Sequence, residues 1–292
     1  MKMDFGDKVG IVACSNGISK ENEGKTELLK KALMMVGLTP VFSDCIVEKE
    51  GGAAGTGEQR AKALMDFYRD DTVKAIFDIS GGDLANEILP FLDFSVIADS
   101  GKQFWGYSDL TVILNAIYAK TGLPSVLYQV RNLIRDDGEN QIRNFSNTVM
   151  NGGRQLYHFD YEFLQGNTLE GIVVGGNIRC FLKLAGTPFW PDMDGKVLLL
   201  EAWNGTVPQM VTYLSQLQQI GVFDRIGGIL LGTFTRMEEQ RCTPAMGELI
   251  RKYAGEHLPV VTTRKIGHGA DSKAIVIGQE IRLERLSSEK GF

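Results

Sequence analysis

Short apolar runs alternate along the chain with stretches whose apolar residues recur every three or four positions. Lys8 to Cys14 reads as a buried strand. Glu21 to Val36 follows with Leu28, Leu29, Ala32, Leu33 and Val36 on one helical face. The alternation continues with a strand over Thr39 to Cys45 and a helix over Glu58 to Arg69. Further strands are expected over Val73 to Ile79, Gln103 to Tyr107 and Pro124 to Val130. A short helix reaching Leu92 and a second over Asp109 to Thr121 fill the gaps between them. Strands that alternate with helices argue for a parallel sheet covered on both faces, and right-handed crossovers make it doubly wound.

The rhythm breaks after this region. Asp136-Asp137-Gly138 and Asn151-Gly152-Gly153 are turn signals in a polar stretch. The pattern resumes with strands over Leu169 to Val174, Lys196 to Ala202, Gly227 to Phe234 and Pro259 to Ile266. Gly175-Gly176-Asn177 leads into a helix ending at Leu184, and Val207 to Ile220 is amphipathic. A helix is expected over Thr243 to His257, with Thr243 as N-cap and Pro244 in its first position. Ala274 to Leu283 reads as a strand or hairpin. These readings divide the chain into an N-terminal doubly wound domain over 1–135, a linker over 136–167 and a C-terminal domain over 168–292.

Composition narrows the function classes. The chain has 292 residues, 43% of them hydrophobic, enough for a substantial core. A net charge of -5 and the lack of any Lys/Arg run argue against nucleic acid as a partner. Cys14, Cys45, Cys180 and Cys242 are widely spaced, which suits free buried thiols and gives no zinc signature. No HExxH and no paired His/Asp cluster occurs, so neither a metal nor another cofactor is expected. The start is polar, and no apolar run approaches the roughly 20 residues of a membrane helix. No membrane partner and a cytoplasmic location are the expectations.

Doubly wound sheets bind ligands at the carboxyl ends of their strands. That rule selects Ser15 to Gly17, Ser80 to Asp83, and Ser108-Asp109. Ser108 lies in Gly106-Tyr107-Ser108-Asp109, between a strand and a helix, in a partial match to a hydrolase nucleophile elbow. The helix start supplies N–H groups suited to an oxyanion. The same serine would serve as a plain helix cap, and the residues alone leave both roles open. Gly81-Gly82 is either a second source of N–H donors or a simple tight turn. Among three histidines, His268 sits in Gly267-His268-Gly269 just after a strand, whereas His158 and His257 lie in polar settings. Glu201 ends the run Val197-Leu198-Leu199-Leu200, where a charge needs either solvent or a partner such as a histidine N–H. The Gly-rich segment 51–57 lacks the Gly-Lys-Ser/Thr ending of a phosphate loop and reads as a mobile surface loop.

Taken in order, Ser80-Gly81-Gly82, Gly106-Tyr107-Ser108-Asp109-Leu110-Thr111, Gly175-Gly176-Asn177, Leu199-Leu200-Glu201 and Gly267-His268-Gly269 resemble the LD-carboxypeptidase family of serine peptidases. The resemblance spans nearly the whole chain. It implies a doubly wound N-terminal domain carrying the nucleophile and a β-rich α/β C-terminal domain carrying glutamate and histidine. It implies a Ser108–Glu201–His268 triad and an oxyanion hole from the backbone N–H groups of Gly82 and Asp109. Gly81, Asn177 and Trp203 are the expected substrate contacts. The implied protein is a metal-free homodimer acting on a small peptide. The implied reaction releases terminal D-alanine from cytoplasmic muropeptides. The alternative within the resemblance is a microcin-immunity-like hydrolase of peptidyl- or aminoacyl-nucleotide conjugates. Asn86 and the segment 115–123 lean toward that alternative. The chain departs from the muropeptide enzymes at Cys14, Ser80, Tyr128-Gln129-Val130 and Trp203-Asn204-Gly205.

Overall fold

The computed structural model describes residues 2–285. Its first sheet contains β1 (Lys8–Val12), β2 (Thr39–Phe42), β3 (Val73–Asp78), β4 (Gln103–Gly106) and β5 (Ser125–Leu127). These five strands are parallel, in the order β5-β4-β3-β1-β2. Helices α1 (Glu23–Val36), α2 (Gly57–Arg69), α3 (Phe94–Ser100) and α4 (Thr111–Thr121) connect them. Strand order reverses between β1 and β3, which opens a crevice at their carboxyl ends.

The stretch 136–167 is structured rather than a linker. Helix α5 (Gly138–Asn151) packs Phe145 against Phe77 and Trp105 of the first sheet, at ring-centroid distances of 5.7 and 5.8 Å. Its polar residues face outward, which made the segment look like a connection. Strand β6 (Glu162–Gln165) already belongs to the second sheet.

That second sheet holds β7 (Thr168–Asn177), β8 (Val197–Ala202), β9 (Gly228–Phe234) and β10 (Val260–Thr262) in parallel. Strand β6 pairs antiparallel with β10 at one edge. Helices α6 (Ile178–Leu182), α7 (Val207–Gln219), α8 (Thr235–Glu239) and α9 (Met246–Ala254) accompany it. The expected strand or hairpin over 274–283 resolves into two strands that separate. Strand β11 (Ile275–Ile277) pairs antiparallel with β5 in the first sheet, and β12 (Glu280–Glu284) pairs antiparallel with β7 in the second. The chain is therefore an α/β protein of two six-stranded mixed sheets, laced together by its C-terminal strands.

Helix α4 lies between the sheets. Thr111 through Ile117 are all buried, so this helix has no solvent face along that length. Leu110, Ile113 and Ile117 share one core with Val174, Ile178 and Phe181 of the second unit. A second core, around Ile11, Phe77, Trp105 and Tyr128, fills the other face of the first sheet beneath α1 and α5.

Two local readings need correction. Helix α9 begins at Met246, and the Glu248 carboxylate accepts the Ala245 N–H at 2.7 Å. Thr243 and Pro244 therefore precede the helix instead of capping it. The segment 51–57 is tied down, not a mobile loop. Gly17 N–H donates to Gly52 O at 2.9 Å, Ala54 is fully buried, and Thr56 caps α2 in a reciprocal box with Gln59.

Candidate active site

Ser108 follows β4 immediately before α4. Tyr107 is extended, and Ser108 then takes φ 56°, a left-handed conformation that costs an L-residue roughly 1 kcal/mol or more. The chain turns sharply there and enters a tight helical turn over Ser108–Leu110. Gly106 makes the turn possible: a Cβ on it would stand 2.7 Å from Leu110 Cβ. The close approach of strand and helix thus uses the glycine before the serine, with Leu110 in the position where an elbow usually has its last glycine.

The Asp109 carboxylate secures this turn from below. It is fully buried and accepts from Ser15 Oγ at 2.7 Å and from Ala85 N–H at 2.8 Å. Lys183, next to α6, closes an ion pair on its other oxygen. A buried carboxylate with two hydrogen bonds and a cation is adequately compensated. The Ser108 turn is thereby fastened to the loop after β1, to the segment after β3 and to the second unit.

The second unit brings the other two members. Glu201 sits near the end of β8 with no exposed surface. His268 lies in the loop after β10 and is partly exposed. His268 Nε2 is 3.2 Å from Ser108 Oγ, and His268 Nδ1 is 2.8 Å from Glu201 Oε2. With the proton on Nδ1, the imidazole donates to Glu201 and offers Nε2 to the serine hydroxyl. The Tyr107 hydroxyl donates to the same Glu201 oxygen at 3.2 Å and lies 3.1 Å from His268 Nδ1. Its ring stands edge-on to the imidazole, with centroids 4.7 Å apart. Burial, and next the Glu201 charge, push the Tyr107 hydroxyl well above its ordinary pKa, so it stays a neutral donor. His158 and His257 are both exposed, and neither hydrogen-bonds to this group.

A cavity of about 790 Å³ opens at this point, along the β1/β3 crevice and between the two units. Gly81, Gly82, Asn177, Trp203, Ser108 and His268 all line it. Trp203 is 46% exposed, with its ring 5.4 Å from that of His268. A smaller cavity of about 540 Å³ also has Ser108, His268 and Gly81 in its wall. The segment 51–57 contributes nothing to either cavity wall, and stands behind Asn16 and Gly17.

Sequence reasoning selected Ser15 to Gly17 and quoted Tyr107 in the serine motif without giving Asn16 or Tyr107 a role, and it missed Arg131 and Arg135. Asn16 Oδ1 accepts the Asp83 N–H at 2.8 Å and so shapes the loop carrying Gly82. The rule that ligands gather at strand carboxyl ends would have reached both arginines, because they follow β5 directly. No group of three or more His, Cys, Asp or Glu able to hold a metal occurs among the described residues.

A serine held on such a turn against an imidazole and a buried carboxylate is the working arrangement of serine-type hydrolases. The family is specific. A model of the LD-carboxypeptidase N-terminal domain matches residues 9–128 and one of the LD-carboxypeptidase C-terminal domain matches residues 170–283, so the chain belongs to the LD-carboxypeptidase family. It is an enzyme of the serine-type carboxypeptidase class. It is 30% identical to the probable murein peptide carboxypeptidase of Bacillus subtilis, over 94% of this chain and 88% of that one. Among solved structures it resembles the MccF-like protein of Bacillus anthracis, with TM-score 0.86, 24% identity, and 99% and 96% of the two chains covered. It also resembles the microcin C7 self-immunity protein MccF in complex with aspartyl sulfamoyl adenosine, with TM-score 0.85, 20% identity, and 97% and 94% covered. At those identities the two structural likenesses speak for the fold.

Proposed function

We propose that this enzyme is a muropeptide LD-carboxypeptidase that hydrolyses the L-to-D amide bond before a terminal D-alanine. The hydrogen-bonded series Ser108–His268–Glu201, at 3.2 and 2.8 Å in a cavity wall, is the observation that carries the reading. The murein peptide relative supplies the substrate class. In this mechanism His268 Nε2 takes the Ser108 proton as Oγ attacks the carbonyl carbon. The oxyanion is held by the N–H groups of Gly82 and Asp109, which flank the nucleophile from the loop after β3 and from the elbow itself. Glu201 keeps the proton on Nδ1 and stabilises the imidazolium. The C–N bond then breaks as His268 returns the proton to the departing D-alanine amine. Water, deprotonated by the same imidazole, hydrolyses the acyl-serine ester. Gly81, Asn177 and Trp203 contact the peptide in this reading, and the enzyme works in the cytoplasm as a homodimer.

The test is D-alanine release from a tetrapeptide ending in diaminopimelate-D-Ala or L-Lys-D-Ala. Wild type releases D-alanine, and Ser108→Ala lowers the rate by at least roughly 10⁴-fold while remaining folded. A folded wild type that releases none rejects this substrate.

One observation favours the second reading, a hydrolase of aminoacyl-nucleotide conjugates. The half-exposed Trp203 beside His268 is a platform on which a base would stack. Cleavage of an aminoacyl-nucleotide conjugate by an enzyme inert on the tetrapeptide would establish it.

A further inference from the structure

Both cavities at Ser108 share two cations, Arg131 and Arg135. Arg131 stands in the helical turn over Val130–Ile134 and Arg135 directly follows it, at the carboxyl end of the first sheet beside the nucleophile strand. Tyr128 N–H donates to Gly106 O at 2.9 Å, which fixes this turn alongside the elbow. The two arginines differ in what holds them. Arg135 is exposed at the rim and donates to His268 O and to Asn132 Oδ1. Arg131 is half-buried, and among the described residues its guanidinium makes no ion pair and no hydrogen bond. The other arginine in the larger cavity wall, Arg179, is already paired with Asp83.

A partly desolvated guanidinium with unused donors is unusual, since such groups are normally paired. Burial pushes Arg131 below its ordinary pKa. The Asp78 charge opposes that shift and Arg135 reinforces it. Asp78 is not its direct partner: its carboxylate accepts from Ser80 N–H, Ser80 Oγ and Cys14 N–H and makes no bond to Arg131. The planar fork of Arg131 matches a carboxylate, which would receive two parallel hydrogen bonds.

We propose that Arg131, with Arg135 at the rim, is the subsite that receives the free C-terminal carboxylate of the substrate. The inference rests on the peptidase reading and deepens it. It gives a physical reason for cleavage one residue from a chain end: an internal peptide bond presents no carboxylate to the cation, and the half-buried guanidinium then stays unpaired in the cavity wall. The chain as a whole is acidic, so the local pair of cations also draws an anionic end toward Ser108 specifically.

The test compares a tetrapeptide ending in D-Ala with the same peptide ending in D-alaninamide, using wild type, Arg131→Met and Arg131→Lys. In wild type, kcat/KM for the free acid exceeds that for the amide by roughly 10- to 100-fold. Arg131→Met loses that preference and Arg131→Lys retains part of it. A role confined to folding would lower both substrates equally. Equal cleavage of acid and amide by wild type, or an undiminished preference in Arg131→Met, overturns the subsite. Calorimetric binding of N-acetyl-D-alanine to Ser108→Ala, with and without Arg131→Met, separates the subsite from the proposed reaction. If wild type turns over neither peptide, the muropeptide reading fails. The subsite then stands if N-acetyl-D-alanine binds and weakens roughly 10-fold or more in the double variant, and falls if it does not.

Discussion

Ser108, His268 and Glu201 come from three separate loops and strands, and their alignment depends on a fourth side chain. Tyr107 touches both His268 and Glu201 through one hydroxyl. Glu201 Oε1 is buried without a protein partner among the described residues, so Tyr107 and His268 are the carboxylate's protein donors. Removing the hydroxyl leaves the ring packed on the imidazole but frees the carboxylate to rotate. Tyr107→Phe is therefore expected to fold normally and to lower kcat roughly tenfold with KM nearly unchanged. Steady-state kinetics on the tetrapeptide check this, and a raised KM with kcat unchanged would show that the tyrosine shapes binding instead. Because burial keeps this hydroxyl protonated, the difference between wild type and variant should not vary with pH between about 6 and 9.

At the scale of elements, the histidine loop is fixed by close packing on β9. Gly267 has φ 156°, and a Cβ there would lie 1.7 Å from Thr233 Oγ1 on β9. No rotation of a short loop relieves an overlap that deep. Gly267→Ala is expected to push His268 away from Ser108, with a stability loss of roughly 2–4 kcal/mol in urea unfolding and activity lost with it. Unaltered unfolding and turnover would show that the loop yields more easily than its packing implies. The sheets and long helices were legible in the apolar periodicity, as with β3, β8 and α2. The start of α9 was not, because Thr243-Pro244 looks like a local start signal while Glu248, inside the helix, makes the capping bond. The segment 51–57 was misread for a related reason: its glycines suggested freedom, but its partners Asn16 and Gly17 lie far back in the sequence.

For the molecule as a whole, the approach of His268 and Glu201 to Ser108 depends on the two units holding still against each other. Asn115 is the most demanding contact between them. From the buried face of α4 its Nδ2 donates to Gly175 O at 2.9 Å and to Thr111 O at 2.8 Å, while Gly175 N–H donates to its Oδ1 at 2.8 Å. Thr111 adds a bond from Asn177 N–H to its hydroxyl at 3.0 Å. Asn115→Ala leaves both Gly175 backbone groups buried and unpaired, at a cost of roughly 2–4 kcal/mol. Thermal unfolding should show that loss, and kcat should fall further than for a destabilised variant remote from the interface. A variant as stable and active as wild type would mean that the apolar core around α4 suffices.

The sequence by itself determined the elements and the chemistry they carry. Periodicity specifies strands and helices because burial has to repeat with the backbone's own period, and the rule for strand ends located Ser108 and Gly81-Gly82. The order of the motifs around Ser108, Glu201 and His268 pointed to the family. Only the tertiary structure decided what depends on meetings between distant segments. It sends β11 and β12 to different sheets, makes 136–167 part of both units, and sets Tyr107 against Glu201 and His268. It also leaves Arg131 half-buried without a partner among the described residues, beside Ser108. A hydrogen bond or an unmet charge is a property of the space between side chains, and that space exists only once the two sheets have closed on α4.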